Sequence, residues 1–314
     1  MVRLAVSSSI SIVILNYNTR DLLARCLRSI ERFAPDAQVI VVDNASCDDS
    51  TAMVCEKFPS VHLIANTNNR GFARGMNQGL RESTAPFVFA LNADTELTPT
   101  TLPPLLSAVE RFPRAGILAP IQIAPDSTPL ASAFPDPTLS SEMARLFFFR
   151  DHLASRLQRG AWRVRSGGIP ERVDWLMGAA LFIRRECLQS VSGFDETQFM
   201  YGEDWDICYR ARQNSWHIYL VPEARIIHHT NVAGKQEFGA LRQARVLEAN
   251  LYFHAKHYGN MSRRALASLH LIGGLLRLPW LGALRLAQPA HMGWQSQIEE
   301  ARVAWRALGR VHQS

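Results

Sequence analysis

Short β-branched runs, regularly separated by amphipathic stretches, constrain this chain more than any other feature. SISIVIL (9–15) and QVIVV (38–42) read as strands buried on both faces, and VHLIA (61–65) and PFVFALN (86–92) continue the series. Between the first two, Arg20 to Phe33 places Leu22, Leu23, Cys26, Leu27 and Ile30 on one helical face. Asp48 or Asp49 can cap a helix running to about Phe58. Further helices are expected from about Phe72 to Glu82 and from Thr101 to Arg111. This alternation predicts an α/β fold, a mostly parallel sheet with helices on both faces.

Residues 124–172 break the pattern with Pro125, Pro129, Pro135, Pro137, Pro170 and the Gly167–Gly168 pair. They read as a long excursion with a helix near Ser141 to Leu157, and long loops inside a compact domain are usually functional or mobile. Regular structure resumes with WLMGAALFIRR (175–185), a helix around Glu203 to Gln213, HIYLV (217–221) and the short strand ARIIHH. No internal repeat interrupts the chain.

Charge divides the chain unevenly. The net charge is +6, and residues 260–314 hold seven Arg, no Lys and two Glu. The same stretch is Leu-rich, with Arg277, Pro279 and Arg285 interrupting it; its longest uncharged piece, Ala265 to Leu276, is too short to span a bilayer. We therefore expect a catalytic domain over 1–259 and a basic helical region over 260–314. An interfacial hairpin of helices on an anionic membrane surface is one reading of that region; helices packed on the protein itself are the other. A nucleic-acid binder would more often carry such basicity on the folded domain, so nucleic acid is not an expected partner.

Several classes are disfavoured. Cys26, Cys47, Cys55, Cys187 and Cys208 are odd in number and form no CxxC pair, so a disulfide framework or zinc knuckle is unsupported and reduced thiols in a cytoplasmic protein are expected. The apolar run near the N-terminus ends in NYN without a small-residue cleavage site and reads as the first strand. NYNTRD after that strand is neither a P-loop nor GxGxxG, and no GxSxG occurs.

Ligands of open α/β sheets bind beyond the carboxyl ends of the strands. Those ends here carry Asp43 (VVDNAS) and Asn92 with Asp94 (FALNADTE). Each alone is explained by an Asx-turn or a helix cap. FMYGEDWDICYR (199–210) is the densest polar feature. Asp206 and Arg210 have the spacing of a structural ion pair, and Glu203 and Asp204 alone would be first-turn acids favoured by the helix dipole. Apolar neighbours and a second carboxylate would raise their proton affinity, as a general base requires. His228 or His229 at a strand end, opposite NxD, could complete a divalent site with diphosphate oxygens.

SIVILNYN, VIVVDNAS, NNRGFARGMNQG, LNADTELTP, WLMGAALFIRR, GFDETQFMYGEDWDICYR and IIHH, in that order over roughly residues 9–235, resemble glycosyltransferase family 2 with its Rossmann-like GT-A fold. The closest likeness is to bacterial rhamnosyltransferase-like members that build surface polysaccharides. The resemblance implies an inverting, metal-dependent transferase using Mg²⁺ or Mn²⁺. Tyr17 and Asp43 would hold the base and ribose of the donor. Asn69 and Arg70 would approach the nucleotide, with Asn77 packing behind them. Asn92 and Asp94 stand at the metal-binding DxD; Asn92 replaces the first acid, so Asp94 would carry the metal contact. Trp175 and Gly178 lie where the acceptor loop begins. Asp204 matches the catalytic base with Glu203 beside it, and His228 matches the metal-binding histidine, His229 being the runner-up.

The implied partners are a dTDP- or UDP-linked sugar, rhamnose first, and a glycan or lipid-linked acceptor. The implied place is the cytoplasmic face of the membrane, with peripheral contact through the C-terminal region. Two other readings remain open: a nucleotidyltransferase, which would need a Gly-rich basic loop where NYNTRD stands, and a non-catalytic sugar- or nucleotide-binding scaffold, favoured by Asn92.

Overall fold

β1 (Ile10–Asn16) lies between β2 (Gln38–Asp43) and β4 (Phe87–Asn92), parallel to both, and β3 (His62–Ala65) extends the parallel set beyond β2. These are the four β-branched runs, and Ile12, Val13, Ile14, Val41, Val42 and Leu91 have no exposed surface. The computed structural model describes residues 10–147, 169–229, 241–287 and 293–309. The N-terminal run before Ile10 therefore lies outside the described residues, as does the expected helix beyond Phe147.

Three helices connect the strands: α1 (Arg20–Phe33), α2 (Ser50–Lys57) and α3 (Phe72–Glu82). α1 buries Leu23, Cys26, Leu27 and Ile30 of the stripe its sequence predicts; Ala24 joins them, while Leu22 is only half-buried. Ahead of α2, Asp48 rather than Asp49 supplies the side-chain bonds, its Oδ1 accepting from the Ser50 amide at 3.2 Å. Asp49 itself takes a left-handed φ of 60°.

The second half of the sheet is mixed. β5 (Thr95–Leu97) is followed by α4 (Leu102–Arg111), β6 (Ala115–Ile123), β7 (Ala133–Phe134), β8 (Glu171–Arg172), β9 (Trp175–Leu176) and β10 (Ala180–Arg184). Then come α6 (Arg185–Ser190), α7 (Glu203–Gln213) and β11 (His217–His228). Among the described residues, nine strands form one sheet of order β3-β2-β1-β4-β10-β6-β11-β5, with β8 also on β11. β10 runs antiparallel between β4 and β6, so the parallel character belongs to the first half and to the β6–β11 pair. Phe182 of β10 anchors the junction, stacked on Phe87 and edge-on to Phe89. Such pairs contribute about 0.5–1.5 kcal/mol each beyond their burial. HIYLV and ARIIHH form one strand, β11, whose register slips between Val221 and Arg225 around Pro222. β7 and β9 form a separate two-stranded sheet.

The chain has two compact units. One comprises Met1–Pro135 and Arg163–Ala233; the other comprises Asp136–Trp162 and Gly234–Ser314. The second unit thus takes in part of the proline-rich excursion and begins before the expected boundary at residue 260. It contains α5 (Leu139–Phe147), α8 (Arg242–Ala287) and α9 (Gly293–Gly309). α8 breaks at Gly259, where φ is 84°, and then continues through Pro279, which the sequence reading took as its end. Leu247, Leu251, Leu266, Val303 and Ala304 make this unit's own core, so the C-terminal helices do pack on one another. Among the described residues no helix is long and apolar enough to cross a membrane.

Candidate active site

The β4–β5 turn carries Asn92 and Asp94, and β5 pairs antiparallel with the end of β11, His228 opposite Thr95. That pairing brings together residues far apart in sequence. Asp94 and His228 are both buried, with Oδ1 3.3 Å from Nε2. His228 Nδ1 lies 2.8 Å from Gln122 Oε1 at the end of β6. An amide oxygen only accepts, so Nδ1 carries a proton, and in the neutral ring Nε2 keeps the lone pair. That Nε2 is buried and makes no hydrogen bond. A buried lone pair facing a carboxylate is a poor arrangement by itself and a good one for a divalent cation, with Gln122 as the partner that orients the ligand. His229 is differently engaged: Nε2 lies 2.6 Å from Glu96 Oε1, while its amide donates to Asp94 O at 2.9 Å. No group of three or more His, Cys, Asp or Glu among the described residues could hold a metal alone, so any cation here needs oxygens from its ligand.

Glu203 and Asp204 open α7 after two left-handed residues, Tyr201 (φ 72°) and Gly202 (φ 95°). Asp204 Oδ2 accepts from the Gly178 amide at 3.1 Å and Oδ1 from the Trp205 amide at 2.9 Å. Burial is the largest influence on both acids. It pushes Glu203 up to about 8, with the Asp204 charge adding to it, and Asp204 up to about 6 against the stabilising amides. Both acids are therefore held above the usual carboxylate range, Glu203 further than Asp204. Asp206 is structural, its Oδ2 accepting from Arg210 Nε at 2.7 Å, while the same guanidinium donates to Gly193 O.

Backbone bonds tie these pieces together. The Asn92 amide donates to Ala179 O, one residue beyond Gly178, whose amide holds Asp204. The turn with Asp94 and the loop that bonds Asp204 are therefore adjacent. Gly178 has no room to spare, because a Cβ there would meet Asp204 Cβ at 3.2 Å. Gly71 (φ 81°) precedes α3; a Cβ there would collide with Phe199 O, which accepts from the Phe72 amide at 2.7 Å. Asn77 reaches from α3 to Phe194 and Glu196, fixing the segment that leads to α7.

The expected nucleotide residues lie at the ends of β1 and β2 and just before α3. Asp43 is buried, its Oδ2 accepting from Asn16 Nδ2 at 2.7 Å and Oδ1 from the Ser46 amide at 2.8 Å, so it also braces the loops after β1 and β2. Tyr17 is half-buried beside Asn16. Asn69 Oδ1 accepts from the Gly71 amide at 3.0 Å, and Arg70 is exposed. Asn92 is half-buried. The sequence reading missed Gln122, Glu96 and Trp205. Gln122 alone had a signal, as the single polar side chain in an apolar run.

Two solved structures share this mixed-sheet fold. Mannosyltransferase PcManGT from Pyrobaculum calidifontis, in complex with GDP-Man and Mn²⁺, aligns with a TM-score of 0.55 at 18% identity, covering 97% of this chain and 88% of that one. GalNAc-T7 with UDP, GalNAc and Mn²⁺ aligns with a TM-score of 0.57 at 17% identity, covering 80% of this chain but only 50% of that one. Sequence narrows the class. The profile for glycosyl transferase family 2 matches residues 11–159, and that for glycosyl transferase family group 2 matches residues 87–288. The chain belongs to the family-2 glycosyltransferases and is rhamnosyltransferase-like within them. It is 29% identical over 235 residues to the N-acetylglucosaminyl-diphospho-decaprenol L-rhamnosyltransferase of Mycobacterium tuberculosis, covering 69% of this chain and 75% of that protein. The low-salt glycan biosynthesis hexosyltransferase Agl10 of Haloferax volcanii is 23% identical over 227 residues, covering 71% of this chain and 68% of that relative.

Proposed function

We propose that this glycosyltransferase moves one sugar, rhamnose first, from a dTDP- or UDP-linked donor to an acceptor hydroxyl on a lipid-linked glycan, with inversion at the anomeric carbon. The observation that carries this reading is the half-buried acid pair at the start of α7, in which Asp204 is held by two backbone amides and its proton affinity is raised. Asp204 takes the proton of the acceptor hydroxyl as its oxygen bonds to the anomeric carbon. The bond from that carbon to the diphosphate oxygen breaks on the opposite face, and the nucleoside diphosphate leaves with the electron pair. Glu203 beside it has its proton affinity raised by desolvation and by the Asp204 charge, so a second full negative charge next to the base is disfavoured.

Asp94 and His228 would hold a divalent cation, Mg²⁺ or Mn²⁺, completed by diphosphate oxygens. Such a cation neutralises the leaving group as a Lewis acid. The lone pair on His228 Nε2 and its Gln122 support favour His228 over His229, whose ring is committed to Glu96. Tyr17, Asp43, Asn69 and Arg70 would line the nucleotide. The similarity to an enzyme named for a diphospho-decaprenol substrate supports a lipid-linked acceptor. Exposed Ile272, Leu275 and Leu276 on α8 and Trp305 on α9, in a region rich in arginine, support peripheral contact with an anionic membrane at its cytoplasmic face.

The test is a donor panel of dTDP-, UDP- and GDP-sugars offered to the purified full-length chain with Mn²⁺, Mg²⁺ or chelator, followed by calorimetry and product analysis. Metal-dependent binding of one donor and a product of inverted configuration are the expected results. A non-catalytic scaffold is the second reading, favoured by Asn92 in place of an acid, and donor binding without turnover on any acceptor would select it.

A further inference from the structure

The loop between β3 and α3 has no core of its own. Thr67, Asn68 and Arg70 are exposed, and Asn69 is half-buried. Its shape rests on what holds its two ends, and one side chain holds both. Asn44, buried just after β2, accepts from Asn66 Nδ2 through Oδ1 at 3.0 Å and donates through Nδ2 to Gly71 O at 3.0 Å. Asn66 directly follows β3, and Gly71 is the turn before α3. The chain therefore enters and leaves this loop on the same amide.

A third amide extends the set into a ladder. Asn66 Nδ2 gives its other hydrogen to Gln78 Oε1 at 2.8 Å, and Gln78 Nε2 returns a bond to Asn66 Oδ1 at 3.0 Å. These roles fix the orientation of all three amides, since an amide oxygen only accepts and the nitrogen only donates. The main chain anchors the ladder to the sheet: the Asn44 amide donates to Asn16 O and the Asn66 amide to Asp43 O, both at 2.9 Å. Gly75 lets α3 approach it, because a Cβ there would meet Leu15 Cδ1 at 2.5 Å and Asn44 Nδ2 at 3.0 Å. A satisfied polar network of this kind rigidifies what it joins. What it joins is the stretch that contains Asn69 and Arg70.

We propose that Asn44, supported by Asn66 and Gln78, is a positioning residue for the donor nucleotide. It holds residues 67–70 in their nucleotide-bound shape before the nucleotide arrives, so that binding is spared the cost of ordering them. The ladder acts through loop order and not by touching the ligand. It also acts independently of the cation: Asn44 follows β2, whereas Asp94 follows β4, two strands away in the sheet. This inference rests on Asn69 and Arg70 approaching the nucleotide.

The test measures UDP and dTDP affinity of the full-length protein by calorimetry, with Mn²⁺ and with chelator, in wild type, Asn44→Ala and Gln78→Met. Asn44→Ala should weaken the nucleotide that wild type binds by about tenfold, and by the same factor in both conditions. Gln78→Met leaves Asn44 in place, should lose affinity several-fold, and keeps the test decisive if the alanine variant misfolds. In nucleotide-free protein the Gly71 and Phe72 amides should exchange faster in both variants, and saturating nucleotide should restore the wild-type rate. In turnover the donor KM should rise while kcat stays within about threefold, a split that general loss of structure does not produce. Unchanged nucleotide affinity in the folded variants, or a loss seen only with Mn²⁺, would overturn the proposal. Wild-type protein that binds neither nucleotide in either condition would instead overturn the donor-site reading beneath it.

Discussion

Asp94 and His228 face each other across the β5–β11 pairing, Oδ1 3.3 Å from a buried Nε2 that makes no hydrogen bond. The register of two strands, rather than proximity in sequence, makes this pair, and Gln122 on β6 fixes which ring nitrogen points at the carboxylate. If the pair serves a cation, His228→Ala weakens metal-dependent donor binding by about 10–100-fold, and Gln122→Leu produces a smaller loss of the same kind. Titration of Mn²⁺ at fixed donor concentration measures both. His229→Ala, which frees Glu96, should leave most of the metal dependence; a larger loss there than at position 228 would reverse the assignment.

Replacing the proposed base, Asp204, separates chemistry from binding. Asp204→Asn keeps an acceptor for the Gly178 amide and cannot take a proton. Transfer should fall by about 10²–10⁴-fold while donor affinity, read by calorimetry, is nearly unchanged. Equal loss of both would mean that Asp204 supports the donor site.

The acid pair predicts an unusual pH dependence. Both pKa values are raised on folding, so the native state keeps protons that the unfolded chain releases from about pH 4 upward. The native state then binds more protons, and these two groups lower stability as pH rises, from about 4 until Glu203 has ionised near 8. Glu203→Gln should therefore melt a few degrees higher than wild type at pH 8.5 and no higher at pH 4. Transfer in wild type should decline below about pH 6 as Asp204 is protonated. A melting difference independent of pH would remove the charge argument.

The apolar surface of the second unit gives a physical prediction about location. Leu275→Glu with Leu276→Glu places two charges at side chains that are 64% and 60% exposed, where little packing is lost. In flotation with vesicles containing anionic lipid, the wild type should co-float and the double variant should not. Equal flotation of the two would remove α8 from the contact.

The Asn at position 92 can be tested by restoring the acid. Asn92→Asp should tighten Mn²⁺-dependent donor binding by several-fold if that side chain borders the cation. No change would place Asn92 outside the coordination sphere.

The helices α1, α3 and α7 lie over the stretches the sequence assigned to them, α1 through its apolar stripe and α7 with the acid pair in its first turn. β6 was not legible. Pro120 lies within it, and a proline ordinarily argues against a central strand; here the register of β11 shifts immediately beyond the Val221–Pro120 pair. The mixed order of the sheet was hidden as well, since nothing in ALFIR declares which strands it will lie between or in which direction. At the site, Asp204 and His228 were assigned by resemblance, because helix capping and a satisfied core histidine explain those residues equally well in isolation. What distinguishes them, burial of the acid pair and an unpartnered ring nitrogen, exists only once β10, β11 and α7 are assembled.

The place of β10 in the sheet has a cost during synthesis. Residues 180–184 enter between β4 and β6, both of which are made earlier, so until β10 emerges each of those two strands presents an unpaired edge. From the end of β4 to the end of β10 is roughly ninety residues, which a ribosome adding about 5–20 residues per second takes roughly 5–20 s to produce. Through that interval an apolar half-sheet with open hydrogen-bonding groups stands in the cell, and the newborn chain is most prone to pair with a neighbour just before it becomes able to close on itself.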